Sequence, residues 1–369
     1  MTYKAYDSLP FYPGPVTVHP EIAKAMYQDF APPRFGMEYT ELYIDLANKI
    51  QKICKTNNEV IFPTGEAMVG LWGALKSCLK PGDSIVTVGT GVFGDGFADM
   101  AESIGCKVEK ISLPYNSTIT PESLVLVDEA IKRSNPVMIT AVHCETPSGT
   151  LNPLEELGKL KKDRNVPLFV VDAVASMGGA FIDADKWNCD ILLGGSQKCF
   201  SCPPYMGIMA VSETAWDFAE KVNYLGYDSI LPFHNATKNP MKFPYTPCWV
   251  GIKGLHKSAQ LLEQEGLENV FKRHEDVATV CRNGLKELGI ALWTTANAIN
   301  SPTCTAALIP DGFDFQSWKM ALAKKGMYIA GSFGPMDGKV FRIGHMGTQA
   351  YLDSITKALN VIKEVLNEK

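Results

Sequence analysis

A lysine and an aspartate at the ends of two apolar segments are the residues of this chain best suited to chemistry. Lys198 follows the apolar segment Ile191–Leu193 and an uncharged Gly-Gly-Ser-Gln stretch, and Asp172 ends the segment Leu168–Val171. A desolvated lysine loses its proton and can attack a carbonyl carbon. An aspartate nearby can keep a pyridine nitrogen protonated, and pyridoxal chemistry requires this pair. A solvated lysine and a helix-capping aspartate are the ordinary alternatives.

The composition is that of an ordinary globular chain and excludes several functions. The 369 residues predict two or three domains, and 46% apolar with 20% charged residues suits a sizeable core. A net charge of −5, without a block of either sign, argues against nucleic acid or an anionic membrane as a partner. No apolar run approaches the roughly 18 residues of a membrane-spanning helix. Ten scattered cysteines and polar first residues predict reduced thiols in a cytoplasmic protein.

Short apolar segments alternate with helical segments over about residues 59–210. This alternation predicts a mostly parallel sheet covered on both faces, with ligands beyond the carboxyl ends of its strands. The predicted strands are Val60–Phe62, Ser84–Val88, Lys107–Ile111, Val137–Val142, Leu168–Val171, Ile191–Leu193 and Gly207–Val211. The predicted helices between them are Met68–Leu79, Gly96–Ile104, Pro121–Arg133 and Pro153–Lys162.

The pattern changes near residue 250. Two long amphipathic helices, Gly251–Glu265 and Leu267–Leu288, precede a few further strands and helices. We therefore predict an N-terminal arm (residues 1–15), a large cofactor-binding domain (16–250) and a small C-terminal α/β domain (251–369).

Two motifs suggest other chemistry. Cys199 and Cys202 form a C-x-x-C pair, but zinc would need further ligands and the six histidines lack metal-binding spacing, so no metal is expected. Residues 89–94 match G-x-G-x-x-G, with Glu109 twenty residues after the first glycine, as in dinucleotide-binding proteins. Glu109 falls inside its predicted strand, however, and a strand-helix unit precedes the motif. Nicotinamide binding is thus the weaker interpretation, and Phe93 better suits stacking on an aromatic cofactor, unless it is a core residue.

Two further segments are candidate anion sites. Gly65, Glu66 and Ala67 begin a helix after a strand, where backbone amides bind phosphate. The Glu66 carboxylate takes the place where a phosphate would go, although it could instead only complement the helix dipole. Arg342, on a short apolar strand bounded by glycines, has the geometry to bind a carboxylate, with a surface salt bridge as the alternative.

Taken together, these motifs resemble those of class V, fold-type I aminotransferases of the alanine–glyoxylate and serine–pyruvate kind. The resemblance covers nearly the whole chain. The matching segments are Pro13-Gly14-Pro15, Glu145–Gly149, Val171–Ser176, Ser196-Gln197-Lys198 and Arg342-Ile343-Gly344. It implies a large, mostly parallel seven-stranded sheet domain with a smaller C-terminal α/β domain. It also implies a homodimer, or a dimer of dimers, with shared active sites.

The resemblance implies a role for each matching residue. Lys198 resembles the lysine that bonds to the cofactor, and Asp172 the partner of the ring nitrogen. The residues expected at the cofactor are Gly65, Glu66, Ala67, Phe93, Thr146, Asp172, Val174, Gln197, Lys198 and Thr246. The residues expected at the substrate are Arg342, Gly14 and Phe333.

Three of these roles are specific to the family. Phe93 takes the position of the ring-stacking aromatic residue, and Thr146 that of a hydroxyl residue near the ring. Thr246 resembles a threonine that reaches the partner subunit's site.

Two departures from the family pattern define a subgroup. Glu66 stands among residues that are usually small or neutral, and Phe243 replaces a phosphate-binding tyrosine. A carboxylate repels a phosphate but accepts a hydrogen bond from a hydroxymethyl group. These positions resemble the pyridoxamine–pyruvate transaminase subgroup, which handles unphosphorylated vitamin B6. Phe333 does not match this subgroup, because the subgroup has a second carboxylate-binding arginine at that position.

The expected function is therefore a B6-dependent aminotransferase that uses a small 2-oxo acid, pyruvate or glyoxylate. The favoured type is pyridoxamine–pyruvate transaminase, which gives pyridoxal and L-alanine. The cofactor is pyridoxal 5′-phosphate or the unphosphorylated pyridoxal and pyridoxamine. The main alternative is a phosphate-using alanine or serine transaminase acting on glyoxylate or pyruvate. A cysteine desulfurase or lyase using Cys304 or Cys199, and a non-catalytic B6-binding protein, are further alternatives.

Overall fold

The computed structural model describes residues 8–28, 37–238 and 243–368, so residues 1–7 of the predicted N-terminal arm lie outside the described part. The helices in the described ranges are α1 (Pro20–Met26), α2 (Met37–Cys54), α3 (Ala67–Cys78), α4 (Val92–Ile104), α5 (Pro121–Ser134), α6 (Glu155–Asp163), α7 (Glu213–Val222), α8 (Trp249–Glu265), α9 (Leu267–Glu287), α10 (Phe315–Lys324) and α11 (Leu352–Asn367). The strands there are β1 (Leu9–Pro10), β2 (Glu59–Ile61), β3 (Ser84–Gly89), β4 (Lys107–Ser112), β5 (Met138–Val142), β6 (Cys144–Glu145), β7 (Thr150–Leu151), β8 (Leu168–Asp172), β9 (Ile191–Gly195), β10 (Gly207–Val211), β11 (Cys304–Leu308), β12 (Met327–Tyr328), β13 (Ala330–Gly331) and β14 (Val340–Gly344).

The large sheet contains all seven strands predicted from the sequence. Its order is β2-β10-β9-β8-β5-β3-β4, and β10 runs antiparallel to both of its neighbours while the other pairs are parallel. The predicted fold class, α/β with a mostly parallel seven-stranded sheet, is confirmed.

The central strands are mostly apolar because helices cover both of their faces. Every residue of β5, β8 and β9 is buried, which is typical of parallel strands inside an α/β sheet. Local signals set the helix ends: Thr120 and Ser123 cap the start of α5 reciprocally, with a proline at its first position.

A second sheet follows in the C-terminal part of the chain. It is antiparallel, with the order β11-β14-β13. Phe341 and Ile343 of β14 belong to an apolar cluster shared with α9, α10 and α11. Since side chains alternate along a strand, Arg342 points to the opposite face from Phe341 and Ile343.

The helix α8 packs with the first, larger core. Its residues Ile252, Leu255 and Ala259 belong to the apolar cluster of the large sheet. The domain boundary at residue 250 stays a prediction. In the part of the chain that the structure describes, no helix is long and apolar enough to cross a bilayer.

Candidate active site

Lys198 and Asp172 come together because their strands are neighbours. β8 and β9 are parallel with Asp172 opposite Leu193, so the end of β8 and the loop after β9 share one edge of the sheet. The Lys198 amine donates a hydrogen bond to the Pro13 carbonyl over 2.5 Å. Gly14 has a φ of +82° and lies against the same side chain, where a Cβ would overlap the lysine. The segment around Gly14 thus holds the amine over the sheet edge.

Burial shifts the ionisation of both groups. It lowers the pKa of Lys198, and the nearby Arg342 guanidinium lowers it further. It raises the pKa of Asp172 to about 6, although the Val174 amide donates to Asp172 Oδ1 over 2.8 Å. Lys198 therefore gives up its proton more readily than a solvated lysine does. A nearby cation would stabilise the ionised form of Asp172.

Glu66 occupies the N-terminus of α3. The Met68 amide donates to Glu66 Oε2 over 2.8 Å, and the side-chain amide of Gln197 donates to Glu66 Oε1. The neighbouring Gly65 amide is already bound to the Tyr205 carbonyl over 2.8 Å. A protein carboxylate therefore holds the position at which the sequence predicts an anion site.

Phe243 and Tyr245, two aromatic residues in the segment before α8, differ in their surroundings. Phe243 is buried, and its ring packs edge-on against Tyr39 and Tyr43 with centroids 5.8 and 5.2 Å away. The Tyr245 hydroxyl accepts a hydrogen bond from the Thr64 amide over 2.9 Å. Sequence reasoning missed Tyr245, which lies two residues after Phe243 in the same segment.

A second glutamate occupies the N-terminus of α4. Glu145 accepts hydrogen bonds from the amides of Phe93 (3.2 Å) and Gly94 (3.0 Å). A Cβ at Gly91 would overlap the Glu145 side chain, and a Cβ at Gly94 would lie 2.7 Å from the Gly89 Cα atom. The glycines of the G-x-G-x-x-G motif thus admit Glu145 and allow close helix–strand packing. Glu145 fills the position that a dinucleotide pyrophosphate requires, which argues against nicotinamide binding.

Sequence reasoning included Glu145 in a segment that resembles the family but gave it no role. The available signal was Gly91, which stands at the cap of α4 and has no side chain to satisfy the free amides there. Burial raises the pKa of Glu145 to about 8, although the hydrogen bonds from the two amides lower it. The charges of Asp172 and Asp95 raise it further.

Arg342 is a buried cation, and only the Nε atom of its guanidinium has a hydrogen-bond partner among the described residues. Its Nε donates to the Gly331 carbonyl over 2.7 Å, and the Phe333 ring lies 4.7 Å from the guanidinium carbon. No carboxylate of the described residues lies within ion-pair distance of it, so it is not a surface salt bridge. Burial lowers its pKa. Such a group favours binding of an anion.

The other residues predicted to contact the cofactor differ in burial and in their described contacts. Thr146 is buried, and its carbonyl accepts a hydrogen bond from the Cys304 thiol over 3.5 Å. Thr246 is exposed just before α8, and no described contact joins it to Lys198 or Asp172. Phe93 is half-buried beside Glu145.

Two polar atoms at this edge lack partners among the described residues and fit a vitamin B6 ring. Asp172 Oδ2 has no hydrogen-bond donor among the described residues. Gln197 Oε1 is buried without a partner. A pyridinium N–H can satisfy the aspartate, and a ring hydroxyl can satisfy the glutamine. The donor set therefore fits the group.

The parallel sheet, the buried lysine and the aspartate define a vitamin-B6-dependent transferase of fold type I. The chain belongs to the aminotransferase class-V family, whose model matches residues 30–336, and it is an aminotransferase. It is 32% identical over 366 residues to the pyridoxamine–pyruvate transaminase of Mesorhizobium japonicum, covering 96% of this chain and 90% of that protein. It is 30% identical over 337 residues to the alanine–glyoxylate aminotransferase of Callithrix jacchus, covering 89% and 80%.

Solved structures agree with these relatives. The pyridoxamine–pyruvate aminotransferase from Mesorhizobium loti superposes with a TM-score of 0.91 at 30% identity, covering 100% of this chain and 94% of that one. The predicted family, enzyme class and B6 cofactor are confirmed.

A pH-dependent contribution of Glu145 to stability is our first prediction. The folded chain keeps a proton on Glu145 that the unfolded chain has lost, so the free energy of unfolding should fall as pH rises from about 5 to about 8. In Glu145→Gln the free energy of unfolding should fall less over this pH range, and the difference from wild type should be on the order of several kcal/mol. Urea titrations at several pH values measure it.

The matched control is Glu109→Gln. Glu109 is half-buried beside Arg133, which lowers its pKa, so it is ionised in the folded protein throughout this window. Its removal should leave the slope unchanged. Equal slopes for wild type and Glu145→Gln would show that Glu145 is ionised in the folded protein.

Proposed function

We propose that this enzyme transfers the amino group of pyridoxamine to a small 2-oxo acid, pyruvate or glyoxylate, and with pyruvate gives pyridoxal and L-alanine. The observation that carries the proposal is the Glu66 carboxylate at the N-terminus of α3. The relatives named pyridoxamine–pyruvate transaminase support it by their similarity along the whole chain.

Glu66 affects phosphorylated and unphosphorylated ligands in opposite ways. Its two oxygens already accept hydrogen bonds from Met68 and Gln197, and the residue is exposed. A phosphate dianion beside it would meet like charge and lose the Met68 amide as a donor. A hydroxymethyl group can donate to the same carboxylate in a charge-assisted hydrogen bond.

The proposed roles follow the geometry. Bound vitamin B6 supplies a protonated ring that withdraws electrons when a C–H bond breaks. Asp172 holds the proton on the ring nitrogen. Lys198, acting as a base and then as an acid, carries a second proton between C4′ of the vitamin and the α-carbon of the amino acid. Arg342 binds the carboxylate of the acid, and Gly14, which leaves room for the Lys198 side chain, lies beside it. The side chains proposed to contact the ring are Phe93, Thr146, Val174 and Gln197, with Gly65 and Ala67 near the hydroxymethyl end.

A phosphate-using alanine or serine transaminase is the second candidate. It is favoured by the Tyr245 hydroxyl, which lies beside the start of α3, and by Phe333 in place of a second arginine. A cysteine desulfurase gains no support, because Cys199 and Cys304 are buried and burial raises the pKa of each thiol to about 12.

We further propose a cytoplasmic homodimer in which Thr246 reaches the partner's site. Thr246 is exposed, and Leu225 and Tyr227 nearby in the chain are 87% and 89% exposed, which favours a covered surface in the assembly. All ten cysteines are free, which supports a reducing compartment.

Removal of the lysine amine tests the catalytic role. Lys198→Ala should lower amino transfer by several orders of magnitude, because a positioned base is lost, while the fold survives. The exposed Lys159→Ala is the control and should keep wild-type turnover. Turnover near wild type in a folded Lys198→Ala variant would contradict the mechanism.

Replacement of Glu66 tests the ligand. Wild type should bind pyridoxal more tightly than pyridoxal 5′-phosphate, and Glu66→Ala should reverse this order, since a charge-assisted hydrogen bond contributes roughly 1.5–3 kcal/mol. Equilibrium titrations of both proteins with both ligands measure it.

Glu66→Gln is the isosteric comparison. It removes the charge but keeps the shape, so it should admit the phosphate while losing less affinity for pyridoxal than Glu66→Ala. If wild type prefers the phosphate form, the second candidate is correct.

A further inference from the structure

Arg342 has binding capacity for one carboxylate. Its Nε is taken by the Gly331 carbonyl, whereas the two terminal nitrogens have no partner among the described residues. Because the guanidinium is planar, a carboxylate binds it in the plane, along the free edge.

Phe333 limits the approach to this edge. The guanidinium carbon lies over the Phe333 ring, 4.7 Å from its centroid. The turn that carries Phe333 is fixed to the large sheet domain, because the Ser332 hydroxyl donates to the Pro147 carbonyl over 2.8 Å. Phe333 is nonetheless 49% exposed, so apolar surface is left beside the bound carboxylate.

The strand neighbours of Arg342 provide no second cation. Ala306 of β11 and Ala330 of β13 lie opposite Arg342 in the sheet. Cys304, two residues from Ala306, is a protonated thiol because burial raises its pKa to about 12. A second carboxylate on the ligand would therefore meet the Phe333 ring and uncharged neighbours, at a desolvation cost.

From this arrangement we propose that Phe333 selects the acceptor acid. The preferred acceptor has one carboxylate and a short apolar substituent, as pyruvate and 2-oxobutyrate do. Glyoxylate, which has no substituent to cover the ring, is a poorer acceptor, and dicarboxylic acids such as 2-oxoglutarate are excluded. This selection rests on the proposed aminotransferase function and names its acceptor class.

The test is a comparison of kcat/KM for glyoxylate, pyruvate, 2-oxobutyrate and 2-oxoglutarate. In wild type, pyruvate should exceed glyoxylate about fourfold, the effect of burying one methyl group. The value for 2-oxoglutarate should be roughly 100-fold or more below that for pyruvate, since a carboxylate without a partner is buried.

Substitutions at Phe333 should change these ratios in defined directions. Phe333→Ala should bring the pyruvate-to-glyoxylate ratio near unity, and Phe333→Leu should restore much of it. Phe333→Arg should raise kcat/KM for 2-oxoglutarate by roughly tenfold or more, because a second guanidinium can pair with the second carboxylate. Phe181, 51% exposed and in contact with Lys55 and Phe271, supplies the control Phe181→Arg, which should leave all ratios unchanged.

Unchanged ratios in Phe333→Ala, or no gain for 2-oxoglutarate in Phe333→Arg, would overturn the selection. Calorimetric titration of each protein with pyruvate and with 2-oxoglutarate gives a readout that does not depend on turnover. If wild type transfers no amino group to any of the four acids, the proposed function fails. The titrations then still decide whether Phe333 discriminates between the two acids.

Discussion

A helix N-terminus whose amides have no acceptor is the constraint on which the active-site edge of this protein depends. The first amides of a helix need partners, and at a sheet edge these often bind a phosphate. In this chain two glutamates supply the acceptors: Glu66 at α3 and Glu145 at α4. Protein carboxylates therefore accept hydrogen bonds at both helix starts, whereas the Arg342 guanidinium remains available for a carboxylate.

The site concentrates buried charge that the described residues only partly compensate. The Arg342 guanidinium lowers the pKa of Lys198, and the Asp172 carboxylate raises the pKa of Glu145. Such an arrangement costs stability, because desolvated charges lack close partners. A ligand that brings a pyridinium nitrogen and a carboxylate would compensate Asp172 and Arg342 at once. The same groups that strain the free protein would then stabilise the complex, as is usual where function and stability compete.

Much of the fold and part of the site were predictable from local patterns. The seven strands follow from short, mostly apolar segments that alternate with helical ones, and the meeting of Lys198 with Asp172 follows from their places at the ends of neighbouring parallel strands. The roles of Glu145, Tyr245 and the Pro13 carbonyl were not predictable. Each acts on a residue far away in the chain, as Glu145 does on Gly94 51 residues before it and Pro13 on Lys198 185 residues after it. Such contacts depend on tertiary packing, and no local periodicity encodes them.

We propose that Glu66 makes this enzyme release unphosphorylated vitamin B6 as a product instead of retaining pyridoxal 5′-phosphate as a resident cofactor. The most direct measurement is the absorption spectrum and phosphate content of the protein as purified, followed by the same measurement after incubation with pyridoxal 5′-phosphate and dialysis. The account predicts a nearly colourless protein without stoichiometric organic phosphate, both before and after the incubation. A yellow protein that keeps one pyridoxal phosphate per subunit through dialysis would contradict it.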